Sequence, residues 1–504
     1  RDLSPVSTKP YLQRDREHRR SSSSSQPVES VARWALRLLI VLLLLLPGVT
    51  HVWAQRGPWN MPIALALSGP EYKTGFPEIA SDVYGMVHVV TSRSHPLEGS
   101  EIVYTMWDGT GWQAPIDIVA GREGRSVWPE KLDTTNEGLL YLLWIAQGDG
   151  LYLSHVPVAS AGMVPTWDTV WVASRATSGD MVIHGAEHMA VVYINNGREV
   201  LFQETQDGGS SWDGETLIWA PPTANQASRN VRMIADDAGV YHVVWTETDA
   251  ELDWNPSGIW YARSMDGGRT WQDFYHVPDQ GSYVNVFIDR EGTVHLLWDR
   301  NVGTVDGRYH TWSNDGGRTW QEPKWIMEGL SGRTGYPRMI LDSNGTLHQI
   351  TAGAGKGRKG GIYHAIWSED RWSAPALVSP DVREEGHEGP ALTITSGNHL
   401  HVVWLNWATH DIMYANYRSE APEVMGPTSS PVPLFAGAPV ATGGYSGATK
   451  EEQVSLVPEA QETPGLSFGE PQADPVLPYL SIVMGLIPPT VLLLIVIFWH
   501  RARS

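Results

Sequence analysis

The sequence contains no cysteine. That excludes disulfides, thiolate metal sites and cysteine nucleophiles, so an exported domain built from it must rest on its own apolar core. Positive charge is in deficit: 36 Lys and Arg stand against 56 Asp and Glu, a formal net charge of −20. A chain of that balance is not built to neutralise phosphates, so nucleic acid is excluded as the expected partner. Phenylalanine is scarce, at 7 residues, whereas Trp numbers 24 and Gly 50. The bias points to a repeated motif with Trp and Gly at fixed places. No stretch of the middle region carries a convincing helical period. The chain is 42% hydrophobic over 504 residues, too apolar to be mainly disordered and too long for one compact core. Several domains or a repeat array are therefore expected.

Two hydrophobic segments frame the chain. Residues 1–55 form a basic, Ser-rich region followed by an apolar run, Leu38–Leu46, of the length of a signal-peptide core. Its long basic region leaves an uncleaved signal anchor open as the alternative. Near the other end, Val476–Trp499 carries no charge and is long enough to cross a bilayer, and Pro488 and Pro489 are tolerated in such helices. His500, Arg501 and Arg503 follow it, which makes residues 500–504 the expected cytoplasmic tail and puts the rest outside. Residues 419–475 are rich in Pro, Gly, Ser, Thr and Glu and read as a flexible acidic stalk. The expected location is the cell membrane, with a single pass and an extracellular globular part at residues 57–418.

The middle region repeats. His242, His295, His348 and His401 are spaced by 53 residues (295 − 242 = 53, and the same for the next two), and Tyr141 follows His88 by the same interval (141 − 88 = 53). A weaker copy around Met189 fills the remaining gap and brings the count to seven. Each copy runs from an apolar strand ending in an Asp turn, through a β-branched strand around the His, to an alternating strand and a last Trp-bearing strand. Period-2 patterning with turn punctuation predicts four antiparallel strands per unit. Four-stranded units at a fixed period predict an all-β propeller of about seven blades, with six as the alternative. The seventh copy lacks an outer strand, and residues 59–69 have the pattern of one. The N-terminal strand is therefore expected to complete the last blade and close the ring.

Three turns share one motif. Ser264, Asp266, Gly268 and Trp271 fit S-x-D-x-G-x-x-W, as do Ser313, Asp315, Gly317 and Trp320; in the third, Asp207, Gly209 and Trp212 follow Thr205 in place of Ser. Thr105, Gly109 and Trp112 keep part of it, with Trp107 at the Asp place. The carboxylate and hydroxyl suit backbone N–H groups within a turn, the glycines permit positive φ, and the Trp is expected to pack under its hairpin. On these boxes the chain resembles the sialidase-like Asp-box (BNR repeat) propeller superfamily. The resemblance implies a box between the third and fourth strands, on the face opposite any ligand site, so these Asp residues are scaffold. The repeated histidines read as packing residues.

The candidate site follows from the same alignment. Glu78, Lys131, Arg232, Asn285 and Arg338 stand seven residues before the turn glycine of their copies, where strand one begins near a central channel. Polar residues there are informative, because apolar ones are the default in such a strand. Arg232, Arg338 and Arg300, with Asn285, Glu78 and Trp254, are the expected ligand-binding set, the arginines for an anion and Trp254 for stacking on a sugar ring, with pinning of its own loop as the alternative. Ion pairing of Arg232 and Arg338 with Glu78 and Glu130 is the equal alternative. The resemblance implies an exo-α-sialidase-type reaction, with Tyr336 as nucleophile and Asp299 or Glu247 as acid/base. The Arg-Ile-Pro tripeptide of that family is absent; Phe76, Pro77, Glu78 and Ile79 stand there. That departure, with the count of seven copies, sets a non-catalytic glycan- or protein-binding propeller, or an assembly scaffold, beside the glycosidase. No cofactor and no metal is read from the sequence, and the expected partner is a glycan or glycoprotein.

Overall fold

The computed structural model describes residues 58–69, 71–95, 99–121, 125–253, 255–278, 280–300, 307–332, 335–355, 360–380, 386–424 and 426. The two hydrophobic segments, nearly all of the stalk and Trp254 lie outside the described residues. Among the described residues no helix is long and apolar enough to cross a membrane, and helix is confined to three short 3-10 turns.

The alternating patterns do form strands, and the strands form seven antiparallel sheets. Blade 4 shows the plan: Gln226–Ala235, Tyr241–Asp249, Asn255–Ser264 and Gln272–Val277 pair in chain order from the axis outward. Blades 1, 2, 3, 5 and 6 follow the same order, with the innermost strand broken in two in blades 1 and 6 and the outermost broken in two in blade 6. The weak copy around Met189 is the second strand of blade 3, Met189–Asn195, so seven blades is the answer rather than six. Blade 7 contains His387–Thr395, His399–Asn406 and Asp411–Arg418, and its outer strand is Ile63–Leu65. Ile63 pairs with Tyr414 and Leu65 with Ile412, so the first strand closes the ring on the last. Asn60 extends the seam, donating its N–H to Asn416 O (3.0 Å) and accepting from Asn416 N at its side chain (2.8 Å).

Apolar packing lies between blades. Val192, Val200 and Phe202 of blade 3 pack with Val231, Val243 and Trp245 of blade 4, and comparable clusters join each pair of neighbours around the ring, including blade 7 to blade 1. Stability is then mostly a sum of nearest-neighbour contacts, closed by the seam. The repeated histidines belong to this scaffold. His88, His242, His295, His348 and His401 are buried, and each Nδ1 meets a ring partner on strand three: Tyr104, Tyr261, His310, His364 and Tyr414. Their other nitrogens face Asp82, Asp236, Asp289 and Asp342, with Thr395 in the last blade.

The three Asp boxes close the turns between strands three and four. In blade 4 the Ser264 hydroxyl donates to Asp266 (2.8 Å) and accepts from Gly268 N (2.9 Å), while Asp266 accepts from Thr270 N (2.9 Å) and Thr270 Oγ1 (2.7 Å). The expectation that each Trp packs under its own hairpin holds for Trp271, whose Nε1 donates to Gly268 O (3.1 Å), but is corrected in extent. Trp271 lies edge-on to Phe202 of blade 3, and Trp320 to Tyr261 of blade 4, so the boxes lock each blade to the one before. The partial box in blade 1 is corrected too. Trp107, opposite Val87, is level with Ser264, opposite Tyr241, and Asp108 closes that turn by accepting from Thr110 N (2.8 Å) and Gly111 N (3.0 Å).

Candidate functional site

Strand one of each blade runs along the axis, and one position recurs on all seven. It is held by Glu78, Lys131, Asp180, Arg232, Asn285, Arg338 and Ala391, facing Val90, Leu143, Val192, Val244, Leu297, Ile350 and Val403 on strand two. Five of the seven were legible from the turn glycines. Asp180 was missed because blade 3 has Glu187 where that glycine stands.

These side chains stitch neighbouring blades. Asp180 accepts from Met233 N (2.9 Å), Arg232 donates to Gly179 O (3.0 Å), Asn285 to Pro337 O (2.8 Å) and Arg338 to Pro390 O (3.2 Å). Charges are matched within the ring and just beside it. Arg338 pairs with Glu78, Arg232 lies 3.5 Å from Glu130, and Lys131 lies 3.8 Å from Asp180. Arg232 is 4% exposed. Burial opposes its charge, but Tyr336, Asp180, Glu130 and Glu78 outweigh that and hold the guanidinium above its ordinary pKa. Burial pushes the Glu130 carboxyl up, against the pull of Arg232 and of hydrogen bonds from Trp128 and Gly179.

Two tyrosines stand beside this ring. Tyr336 lies under the Arg232 guanidinium, 3.7 Å from ring centroid to carbon, with Arg338 at 5.5 Å. Tyr283 meets Tyr336 edge to face at 5.4 Å and 88°. Both are half-buried. Tyr283 sits in a β-bulge between Ser282 and Asn285 with φ 52°, and Asn230, whose amide donates to the Tyr336 hydroxyl (3.3 Å), has φ 56° in the bulge of blade 4. Burial pushes the Tyr336 hydroxyl up, against the pull of Arg232.

Arg232, Arg338, Tyr336, Glu78 and Asn285 are thus brought to one ring. The remaining candidates have other company. Asp299 is fully buried opposite Arg308, 3.8 Å from its guanidinium. Arg308 was missed in the sequence, hidden in an ordinary strand-three pattern; it is buried and donates to Ala352 O (2.9 Å) and Gly335 O (3.4 Å) of blade 6. Glu247 is buried on strand two of blade 4 and accepts from Gln226 Nε2 and Ser257 Oγ, each at 3.3 Å. Arg300 lies over Tyr309 at 5.7 Å. Trp254 is outside the described residues.

Seven four-stranded blades, three of them with Asp boxes between strands three and four, define a seven-bladed β-propeller. No family model and no curated protein matches the chain. Among solved structures it is similar to a protein of unknown function from Dyadobacter fermentans, 16% identical, with 71% of this chain and 99% of that one covered and a TM-score of 0.46. It is similar to the NanB sialidase of Streptococcus pneumoniae, 13% identical over 72% of this chain and 70% of that one, TM-score 0.43. For the intramolecular trans-sialidase from Ruminococcus gnavus the figures are 12%, 70%, 96% and 0.41. At that distance none of them speaks for the chemistry of this chain.

Proposed function

We propose that the propeller is a recognition module that binds a glycan beside its central ring and does not hydrolyse it. The carrying observation is the pair Tyr283 and Tyr336, half-buried, edge to face, with Tyr283 held at positive φ. A non-glycine residue in that conformation costs about 1–3 kcal/mol, and such strain collects at binding sites. Aromatic faces stack on sugar rings, and half-buried Arg338 beside them offers oriented donors for hydroxyls. The pairing also argues against hydrolysis. Arg232 and Arg338 already face carboxylates, whereas a sialoside would need cations to spare. The Tyr336 hydroxyl is bonded by an amide, not by a base that would activate it, and Asp299 is sealed from substrate.

The test is a glycan array probed with the full chain, followed by titration. Binding is expected, weakened roughly tenfold by Tyr336→Ala, a loss of about 1.4 kcal/mol. Release of a fluorogenic leaving group from a sialoside or another acidic glycoside would replace this reading with the glycosidase one.

The uncharged stretch Val476–Trp499 and its basic flank support a location at the outer cell surface, with one membrane pass and the stalk as spacer. Retention in the membrane pellet after alkaline carbonate is expected, with propeller epitopes cleaved by external protease on intact cells. Release by carbonate would remove the anchor from the account.

A further inference from the structure

Blade 3 departs from the repeat at three positions that meet in space. Where blades 1, 4, 5 and 6 hold Asp82, Asp236, Asp289 and Asp342 at the first turn, blade 3 has His184; where the His of the other blades stands, six residues on, it has Ala190. Four residues after His184 comes His188, level with Met86 and Val240 of blades 1 and 4. Opposite Ala190 on strand three is Glu204, level with Met106, Arg263, Trp312 and Ile366. The scaffold pair is thus absent from this blade, and two imidazoles and a carboxylate take its neighbourhood.

The local fold brings the three together. His184 N donates to His188 O (2.9 Å), and this turn stacks the two rings at 4.5 Å. His188 Nε2 lies 2.6 Å from Glu204 Oε1. One donor atom from each residue lies within 4.8 Å of the others. Tyr241, from blade 4, bonds Glu204 Oε1 (3.0 Å) and His184 Nε2 (2.6 Å). If the Tyr241 proton goes to the carboxylate, the hydroxyl accepts from the His184 Nε2–H, and Nδ1 carries that imidazole's lone pair. An outer partner that fixes a ligand in this way is characteristic of metal sites. His184 is exposed and His188 and Glu204 are half-buried, so the group is open to solvent on the Asp-box face.

We propose that His184, His188 and Glu204 form a site for a divalent transition ion of the zinc class, which ties the first turn of blade 3 to its third strand and, through Tyr241, to blade 4. Two imidazoles and a carboxylate suit Zn2+, Co2+ or Ni2+ and leave a coordination position for water. Ligand atoms around such an ion stand about 3.4 Å apart, and those of the three residues already lie within 4.8 Å of one another. The site lies where strand one of blade 3 ends and not on the axial ring position of Arg232 and Arg338, and it does not depend on what binds there.

The test uses the full chain stripped with chelator and titrated with Zn2+ against a chromophoric competitor. One ion per chain is expected, lost or weakened at least roughly tenfold in both His188→Ala and Glu204→Gln. Co2+ should give a visible ligand-field band in the native chain that these variants lack. Zn2+ should raise the melting temperature of the native chain and of Asp236→Asn, which alters the corresponding turn of blade 4, but not of Glu204→Gln. Glu204→Gln keeps the side-chain shape, so its zinc-free melting curve reports whether it is folded. Absence of bound Zn2+, or equal affinity in the native chain and a folded Glu204→Gln, overturns the proposal.

Discussion

The guanidinium of Arg232 lies over the ring of Tyr336, 3.7 Å from its centroid, and its Nη1 is 3.5 Å from Glu130. Three blades are joined by this contact: Glu130 begins in blade 2, Arg232 in blade 4 and Tyr336 in blade 6. A charge so placed is anchored on several sides, and removing it leaves its partners buried.

Arg232→Met should therefore destabilise the propeller by about 3–5 kcal/mol, because the Glu130 charge is stranded. The double variant Arg232→Met with Glu130→Gln should recover most of that loss. Urea unfolding of the four species in the cycle measures it; an equal loss in the single and double variants would assign the cost to packing instead.

Leu67 is fully buried just beyond the closing strand, in the cluster between blades 7 and 1. Leu67→Ala is expected to cost about 2–5 kcal/mol. Deletion of residues 59–67 should cost more and open blade 7, which amide exchange at residues 411–418 would report as lost protection. Unchanged melting after the deletion would remove the closure from the account of stability.

Asp266 accepts from the Thr270 hydroxyl and N–H and from Ser264, which holds its carboxyl down at about 2. Its folded pKa lies below the unfolded one, so its contribution is present above about pH 4 and lost as pH falls through 2. Asp266→Ala should lower the melting temperature at pH 7 and narrow its gap to the native chain at pH 2. Gly317→Ala should be the more damaging change to a box, since φ is 88° there and an added Cβ would overlap the Tyr261 hydroxyl of blade 4.

The buried histidines give the opposite kind of group in the same direction of pH. His364 and His401 are held down at about 3 by burial, with help from His348 for the first and from His399 and Arg418 for the second. The unfolded chain binds protons at these sites near pH 6.5 and the folded chain does not. Stability should fall as pH drops below about 6.5, by up to about 1.4 kcal/mol per pH unit for each such histidine, until the folded pKa is reached. Calorimetry between pH 7 and 5 measures the slope, and His401→Gln should flatten it.

Much of this architecture was legible because a repeat states the same instruction many times. The His spacing, the Asp boxes and the unpartnered pattern at residues 59–69 gave blade count, strand order and closure. The ring position was legible wherever a turn glycine marked the register, as for Glu78 and Arg338. It was lost in blade 3, where the turn residues diverge, and Asp180 went with it. Arg308 lay in a strand whose pattern looked like every other strand three. Glu247 and Asp299 were chosen for chemical type at the end of strand two, yet both are buried with partners of their own.

Sequence alone determined the propeller, its closing strand and the scaffold role of the boxes and histidines, since each depends on local patterns repeated within one blade. Only the tertiary structure decided which charges meet. Arg338 finds Glu78 and Arg232 finds Tyr336 across the ring, and His184 finds Glu204 and Tyr241 across a blade and its neighbour. Such meetings are set by how seven sheets close around an axis, a geometry that no single stretch of chain contains.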